Sequence, residues 1–305
     1  MTEKIFLNKT REGWVVDRFR SEWYSNNSDI STRFITQADI IWIIAPWTWR
    51  EINKKYLLNK KTVCTIHHID MDKFDEKSKE DFYERDEYVD IYHAISNKTS
   101  QQIKELTDKP IVTMPFWVND KIWFQIKEKD TLKRKYKLNN DTYLIGSFQR
   151  DTEGFDLKTP KLSKGPDQFI EILKHYKTIQ EDIHVVLTGK RRDYVISKLK
   201  ENNINFSYFE MVSFEKLNEL YNCLDLYIVS SRVEGGPQSL LECGITKTPI
   251  ISTDVGLASD ILPEESLFNM SNFKKAKPMI EIAYSNSLKY KTPEGFNEFR
   301  KFFNN

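Results

Sequence analysis

The chain has 305 residues, more than one ordinary domain holds, so two domains are expected. Hydrophobic residues at 39% and charged residues at 30% describe a globular protein and exclude a disordered one. A formal net charge of +1 argues against a nucleic-acid partner held by a general positive field. Cys64, Cys223 and Cys243 lie in apolar or helical surroundings without metal-ligand spacing and read as reduced, structural thiols. No apolar run approaches the length that spans a bilayer, and a cytoplasmic location is expected. All seven tryptophans lie in the first 123 residues, whereas every glycine but Gly13 lies at 146 or later. The first half is thus suited to aromatic packing and the second to backbone that wraps phosphates.

Residues 5–7 form a candidate strand, followed by a loop with Gly13 in Arg11-Glu12-Gly13-Trp14 and an amphipathic stretch to about Tyr24. Residues 40–44 are a second strand, ended by Pro46-Trp47-Thr48-Trp49. Residues 50–61 put Ile52, Tyr56 and Leu57 on one helical face among Lys54, Lys55, Lys60 and Lys61. Such a helix suits an ordinary solvated surface or peripheral contact with the anionic inner face of a membrane. Residues 63–66 are a third strand with His67-His68 at its carboxyl end, where parallel αβ sheets place ligands. Adjacent histidines diverge and make a poor metal pair. Asp70-Met71-Asp72 has the form of a metal-holding triplet, but it reads as chance among 45 acidic residues, at the start of an exposed helix. Strands follow at 91–94 and 111–114, with a helix start at Ser96-Asn97. Residues 127–140, containing LKRKYK, are a linker or a short exposed helix.

The second half opens with a strand at 143–148, then Arg150, a long polar loop at 151–163, and Lys164-Gly165-Pro166-Asp167 entering a helix at 168–176. Arg150 and Lys164 place two cations where they can neutralise a leaving diphosphate. Strands at 183–188 and 206–209 precede Glu210-Met211-Val212-Ser213 and a helix at 214–223. The sequence LDLYIVSSRVEGGPQSLLECGITKTPIISTDVG, residues 224–256, is the one stretch that states a chemistry. A buried strand at 224–229 leads through a flexible loop into a helix at 237–246, with Pro237 suited to its first position. The backbone of Gly235, Gly236, Pro237, Gln238 and Ser239 offers a close approach and free amides at a helix start, an anion cradle that fits a diphosphate. Glu234 and Glu242, with seven residues between them, can reach opposite ends of one ligand. The strand and helix alternation in both halves predicts two doubly wound α/β domains.

The ordered set of strand, Ser, Glu-Gly-Gly-Pro, Leu-Leu-Glu, Gly and Thr-Pro-Ile-Ile-Ser-Thr resembles the retaining GT-B glycosyltransferases of family 4, also called group 1. The resemblance implies two Rossmann-like domains facing across a cleft. These would be residues 1–138, joined by a C-terminal helix at 292–305, and a donor-binding domain at 139–291. It implies that Glu234 contacts the donor sugar, that Glu242 contacts the ribose hydroxyls, and that the amides between them hold the diphosphate. His67 would stand against the transferred sugar, with His68 as the alternative, and Gly13 near the diphosphate and acceptor. Met211 and Val212 would lie at the base, and Arg150 and Lys164 match a family Arg or Lys and a Lys-Gly. The longer polar loop between those two cations departs from the family pattern and reads as a lid or an insertion. The implied reaction moves a sugar from a nucleotide-diphosphate donor to a saccharide or lipid-linked acceptor by front-face attack, with no cofactor and no obligatory metal. A nucleotide-sugar epimerase of similar fold and a non-catalytic nucleotide-sugar-binding protein are the competing readings.

Overall fold

The computed structural model describes residues 3–11, 13, 15–180 and 182–304, so Glu12 and Trp14 of the first loop lie outside the described residues. The chain divides into two compact units, one running to Phe116 and resuming at Pro293, the other Trp117–Thr292.

In the first unit the parallel strands β1 (Ile5–Leu7), β2 (Ile40–Ile43), β3 (Lys61–Ile66), β4 (Ile91–Ala94) and β5 (Ile111–Thr113) pair in sequence order. Between them run α1 (Val15–Asn26), α2 (Lys54–Leu57), α3 (Glu76–Asp86) and α4 (Asn97–Lys104). The other edge of β1 is met by a single parallel bridge between Ile5 and Ser31. With that bridge counted as a rudimentary strand, the chain steps to one side of β1 and then crosses to β2 on the other. This is the doubly wound reversal, and ligand loops lie at its carboxyl ends. Asn8 ties that point together: its amide donates to the Ala45 carbonyl (3.1 Å) and the Thr48 hydroxyl (2.7 Å), and its Oδ1 accepts from the Ala45 amide (3.2 Å).

Every residue of β2 is buried, as expected of a strand covered on both faces. The Trp42 indole donates to the Thr65 hydroxyl (2.8 Å), which bonds His93 Nδ1 (2.9 Å), while His93 Nε2 donates to the Met114 carbonyl (2.8 Å). One polar chain thus crosses the sheet with each member partnered, as burial requires.

The helix expected at 50–61 is not formed as such. Pro46–Glu51 is a 3-10 helix, α2 has four residues, and Lys61 already belongs to β3. Arg50 pairs with Asp81 and Glu84, and Lys54 with Glu84 at 3.2 Å, so these cations face carboxylates of α3. One turn of helix has no continuous apolar face to lay on a membrane. Asp70-Met71-Asp72 also differs from expectation. Met71–Lys73 is a 3-10 turn, and the helix begins at Glu76, where the Asp75 carboxylate caps the Ser78 amide.

The second unit contains α5 (Lys129–Lys135), β6 (Tyr143–Ser147), α6 (Pro166–Ile179), β7 (Ile183–Thr188), α7 (Asp193–Glu201), β8 (Asn205–Phe209) and α8 (Phe214–Cys223). It continues with β9 (Leu226–Val229), α9 (Gln238–Thr246), β10 (Ile250–Thr253), α10 (Ala258–Ile261), β11 (Leu267–Phe268) and α11 (Ile280–Ser287). All strands are parallel in the order β11-β10-β9-β6-β7-β8, so the winding reverses between β6 and β9. The loops after those two strands therefore share the ligand-binding edge.

The boundary expected at 138–139 falls instead at 116–117. Of the two readings of residues 127–140, linker or short helix, the structure has the helix, α5, and Trp123, Leu132 and Leu138 around it enter the core of the second unit. Asn218 and Asn222 of α8 accept from the amides of Phe124 (3.2 Å) and Ile126 (2.7 Å), and Lys129 and the buried Lys133 both pair with Asp225. Two tryptophans, Trp117 and Trp123, thus belong to the second unit rather than to an aromatic first half. The last helix, α12 (Asn297–Asn304), returns to the first unit, where Phe299 and Phe303 pack on Trp42 with ring centroids 5.3 and 5.0 Å away. Among the described residues no helix is long and apolar enough to cross a membrane.

Candidate active site

At the carboxyl end of β9, loop 230–237 is sewn to loop 161–168. The amides of Arg232 and Val233 donate to the Ser163 carbonyl (2.8 and 3.0 Å), and Arg232 makes a paired salt bridge to Asp167 (2.7 and 2.6 Å). The Ser230 hydroxyl donates to the Gly165 carbonyl (2.8 Å), and Gln168 donates to the Ser230 carbonyl (2.7 Å). Gly165 has φ +60°, and an added Cβ would stand 1.7 Å from the Ser230 oxygen, so only glycine fits this seam. Gly256 closes the other side: at φ +54° its Cβ would stand 1.9 Å from the Gly235 oxygen.

This seam brings Lys164 and Glu234 together as a partly buried ion pair, and Ser231 Oγ donates to the same Glu234 oxygen at 3.2 Å. The two groups expected to face leaving diphosphate and sugar are therefore neighbours. Glu242, 5% exposed, lies on the inner face of α9 and accepts from the Tyr221 hydroxyl at 2.9 Å. Tyr221, Tyr227 and Phe148 form an aromatic cluster beside it, with centroids 4.8 to 5.3 Å apart. Burial, and then the adjacent Glu242 carboxylate, raise Tyr221 well above the ordinary phenol range, so it stays a donor. Tyr227 accepts from the Phe148 amide (3.0 Å) and hydrogen-bonds Ser239 at the start of α9. Pro237 is the N-cap residue, and the helix begins one residue later than expected, at Gln238. Gly235 is buried, while Gly236, Pro237, Gln238 and Ser239 are half-buried at the rim.

Arg150 is exposed and stands beside Gln149, which reaches this seam itself: its amide donates to the Lys164 carbonyl at 3.1 Å. Met211 is 60% exposed, and Val212 packs against the core cluster beneath β9. Sequence reasoning missed Gln149, Tyr221, Gly165 and Gly256 as site-building residues. The inward register of Tyr221 on α8 was readable; its partner 21 residues away was not.

In the first unit His67 follows β3 as expected. Its Nε2 lies 2.9 Å from the Ile44 carbonyl, which can only accept, so Nε2 carries the proton. Burial lowers its pKa to about 4, and it is neutral at pH 7. It stacks on Phe116 (5.7 Å) and lies 5.6 Å from Trp47, which is 51% exposed. Gly13 adopts φ +62° and its amide donates to Asp17 at 2.9 Å, a tight turn closing onto α1. Among the described residues no group of three or more His, Cys, Asp or Glu side chains could hold a metal ion, Asp70 and Asp72 included.

The chain resembles HepE of Anabaena, solved with UDP-glucose, at TM-score 0.74 over 98% of both chains with 11% identity. It resembles sucrose-phosphate synthase of Thermosynechococcus elongatus at TM-score 0.69, 14% identity, over 94% of this chain and 77% of that one. A glycosyltransferase of Rickettsia africae gives TM-score 0.63 and 15% identity over 97% and 82%. At such identities the likeness is one of fold, GT-B. No curated protein matches the chain in sequence. Residues 158–286, which contain Lys164, Glu234, Glu242 and both walls of the seam, match the family model of the glycosyl transferases group 1.

Proposed function

We propose that the protein is a retaining glycosyltransferase that takes a sugar from a nucleotide-diphosphate donor and passes it to a saccharide or lipid-linked acceptor. The observation that carries this reading is the Lys164–Glu234 pair at the β6/β9 reversal, with Glu242 buried one helical segment further on. Glu242, oriented by Tyr221, binds the ribose diol. The first amides of α9 and the loop glycines hold the diphosphate, which Lys164 and Arg150 neutralise as it leaves, the dominant kind of term in such transfers. Glu234 exchanges its bond to Lys164 for the donor sugar, and Met211 and Val212 border the base. In the first unit His67, neutral and with Nε2 committed to Ile44, orients rather than transfers a proton, and Gly13 shapes the loop after β1. The binding groups invoked are all cations, amides and carboxylates of the chain, so no metal is required.

Calorimetric titration with UDP, GDP and ADP, each in EDTA, tests this. UDP is the first choice because the structurally similar HepE was solved with UDP-glucose. Micromolar, metal-independent binding of one nucleotide supports the reading. Binding of none, or only after magnesium or manganese is restored, overturns it.

A further inference from the structure

Behind the candidate site lies a buried charged group that the proposed chemistry does not use. Arg192, just before α7, is 1% exposed, and its guanidinium is almost fully partnered. Its Nε donates to Asp151 Oδ2 at 2.9 Å. Its Nη1 donates to the carbonyls of Ser147 (2.8 Å), Thr188 (3.3 Å) and Gln149, and Nη2 to the Ser147 hydroxyl (3.3 Å). Ser147 and Thr188 end β6 and β7, so one side chain clamps two adjacent strands at their ligand-binding ends. The loop after β6 is bound to the same place through main chain: the Asp151 amide donates to the Arg191 carbonyl (3.0 Å), and the Lys161 amide to the Asp151 carbonyl (2.8 Å).

The clamp reaches the seam through Gln149. With its carbonyl held by Arg192, the Gln149 side chain donates to the Lys164 carbonyl (3.1 Å) and accepts from the Ser231 hydroxyl (3.4 Å). The same single hydroxyl proton of Ser231 also points to Glu234 Oε1 (3.2 Å), so Gln149 and Glu234 share it as acceptors. A buried guanidinium spending its donors on main-chain carbonyls fixes backbone positions, and burying the charge is costly unless each donor is met. Simple packing needs no such group.

We infer that Arg192 is a positioning residue: with Asp151 it holds Gln149, and Gln149 holds Lys164 and Glu234 in register for the transfer. This rests on the reading of Lys164 as the cation that acts on the leaving diphosphate. Because Arg192→Ala would leave the buried Asp151 carboxylate without its partner and threaten folding itself, the test uses Gln149→Ala and Arg192→Lys, checked by thermal unfolding, alone and combined with Lys164→Ala. Donor KM and turnover are measured for each as release of nucleoside diphosphate. Gln149→Ala removes the bond to the Lys164 carbonyl and one of the two acceptors that share the Ser231 proton, and should lower kcat about tenfold with little change in donor KM. In the Lys164→Ala background the same substitution should cost nothing further, because residues that act through one another are non-additive. Full additivity with an impaired Lys164→Ala overturns the brace and leaves the function standing. Unchanged turnover in Lys164→Ala overturns the role of Lys164 and the brace with it.

Discussion

Replacing Gly165 by alanine tests the seam that creates the site. The residue has φ +60°, and the new Cβ would lie 1.7 Å from the Ser230 carbonyl oxygen. Carbon and oxygen rest about 3.3 Å apart, so the two loops must part by about 1.6 Å. Left-handed backbone costs an alanine about 1–2 kcal/mol. Parting also breaks the bonds from Ser230 Oγ to Gly165 and from Gln168 to Ser230, worth about 1 kcal/mol each. The sum is about 3–4 kcal/mol lost from the second unit. Gly189→Ala is the control, since Gly189 has φ +87° but no atom within 4 Å of the added Cβ. It should cost only the backbone share, about 1–2 kcal/mol. Differential scanning calorimetry of both variants gives the difference, about 2 kcal/mol, and nucleoside diphosphate titration shows whether the parted seam still binds. Costs for the two variants equal to within about 0.5 kcal/mol would refute the steric reasoning.

Glu242→Ala should weaken nucleoside diphosphate binding about 10- to 100-fold, the worth of hydrogen bonds to a charged group, whereas Glu234→Ala should weaken only the intact sugar nucleotide. Calorimetry with both ligands separates them, and equal effects would contradict the assigned roles. Lys164→Ala should lower turnover about 100-fold or more, while Lys54→Ala, which removes a surface pair with Glu84, should leave it near wild type; a reversed order in steady-state assays removes Lys164 from the site. His93 is buried, and burial lowers its pKa from 6.5 to about 4, against the partial support of its bond to Met114. Between those values the unfolded chain binds more protons, so stability is complete above pH 6.5 and is lost as pH falls towards 4. His93→Gln should flatten that acid loss by about 3 kcal/mol in denaturant titrations at stepped pH, and an unchanged slope argues against a buried neutral imidazole.

Local chemistry alone determined the strand, loop and helix of residues 224–256 and the placing of Glu234 before the glycines. Continuous apolar runs mark buried parallel strands, and a proline after Gly-Gly marks a helix start. It likewise placed His67 at a strand end, since strand periodicity needs no partner to be read. What only the tertiary structure decided are the contacts between residues far apart in the chain. Lys164 meets Glu234 70 residues on, and Arg192 meets Ser147 45 residues back. Residues 127–140 read as a linker or a short exposed helix because their charges dominate the pattern, yet Asp225 pairs with Lys129 and Lys133, the asparagines of α8 hold the chain just before them, and Trp123 and Leu132 enter a core. The lysines of residues 50–61 read as a solvated face or a membrane-contacting one, and only the fold showed that Lys54, with Arg50, pairs with Glu84 and Asp81 of another helix. A charge or a glycine acquires its role from what the fold places within about 4 Å, and that information is not carried by its neighbours in sequence.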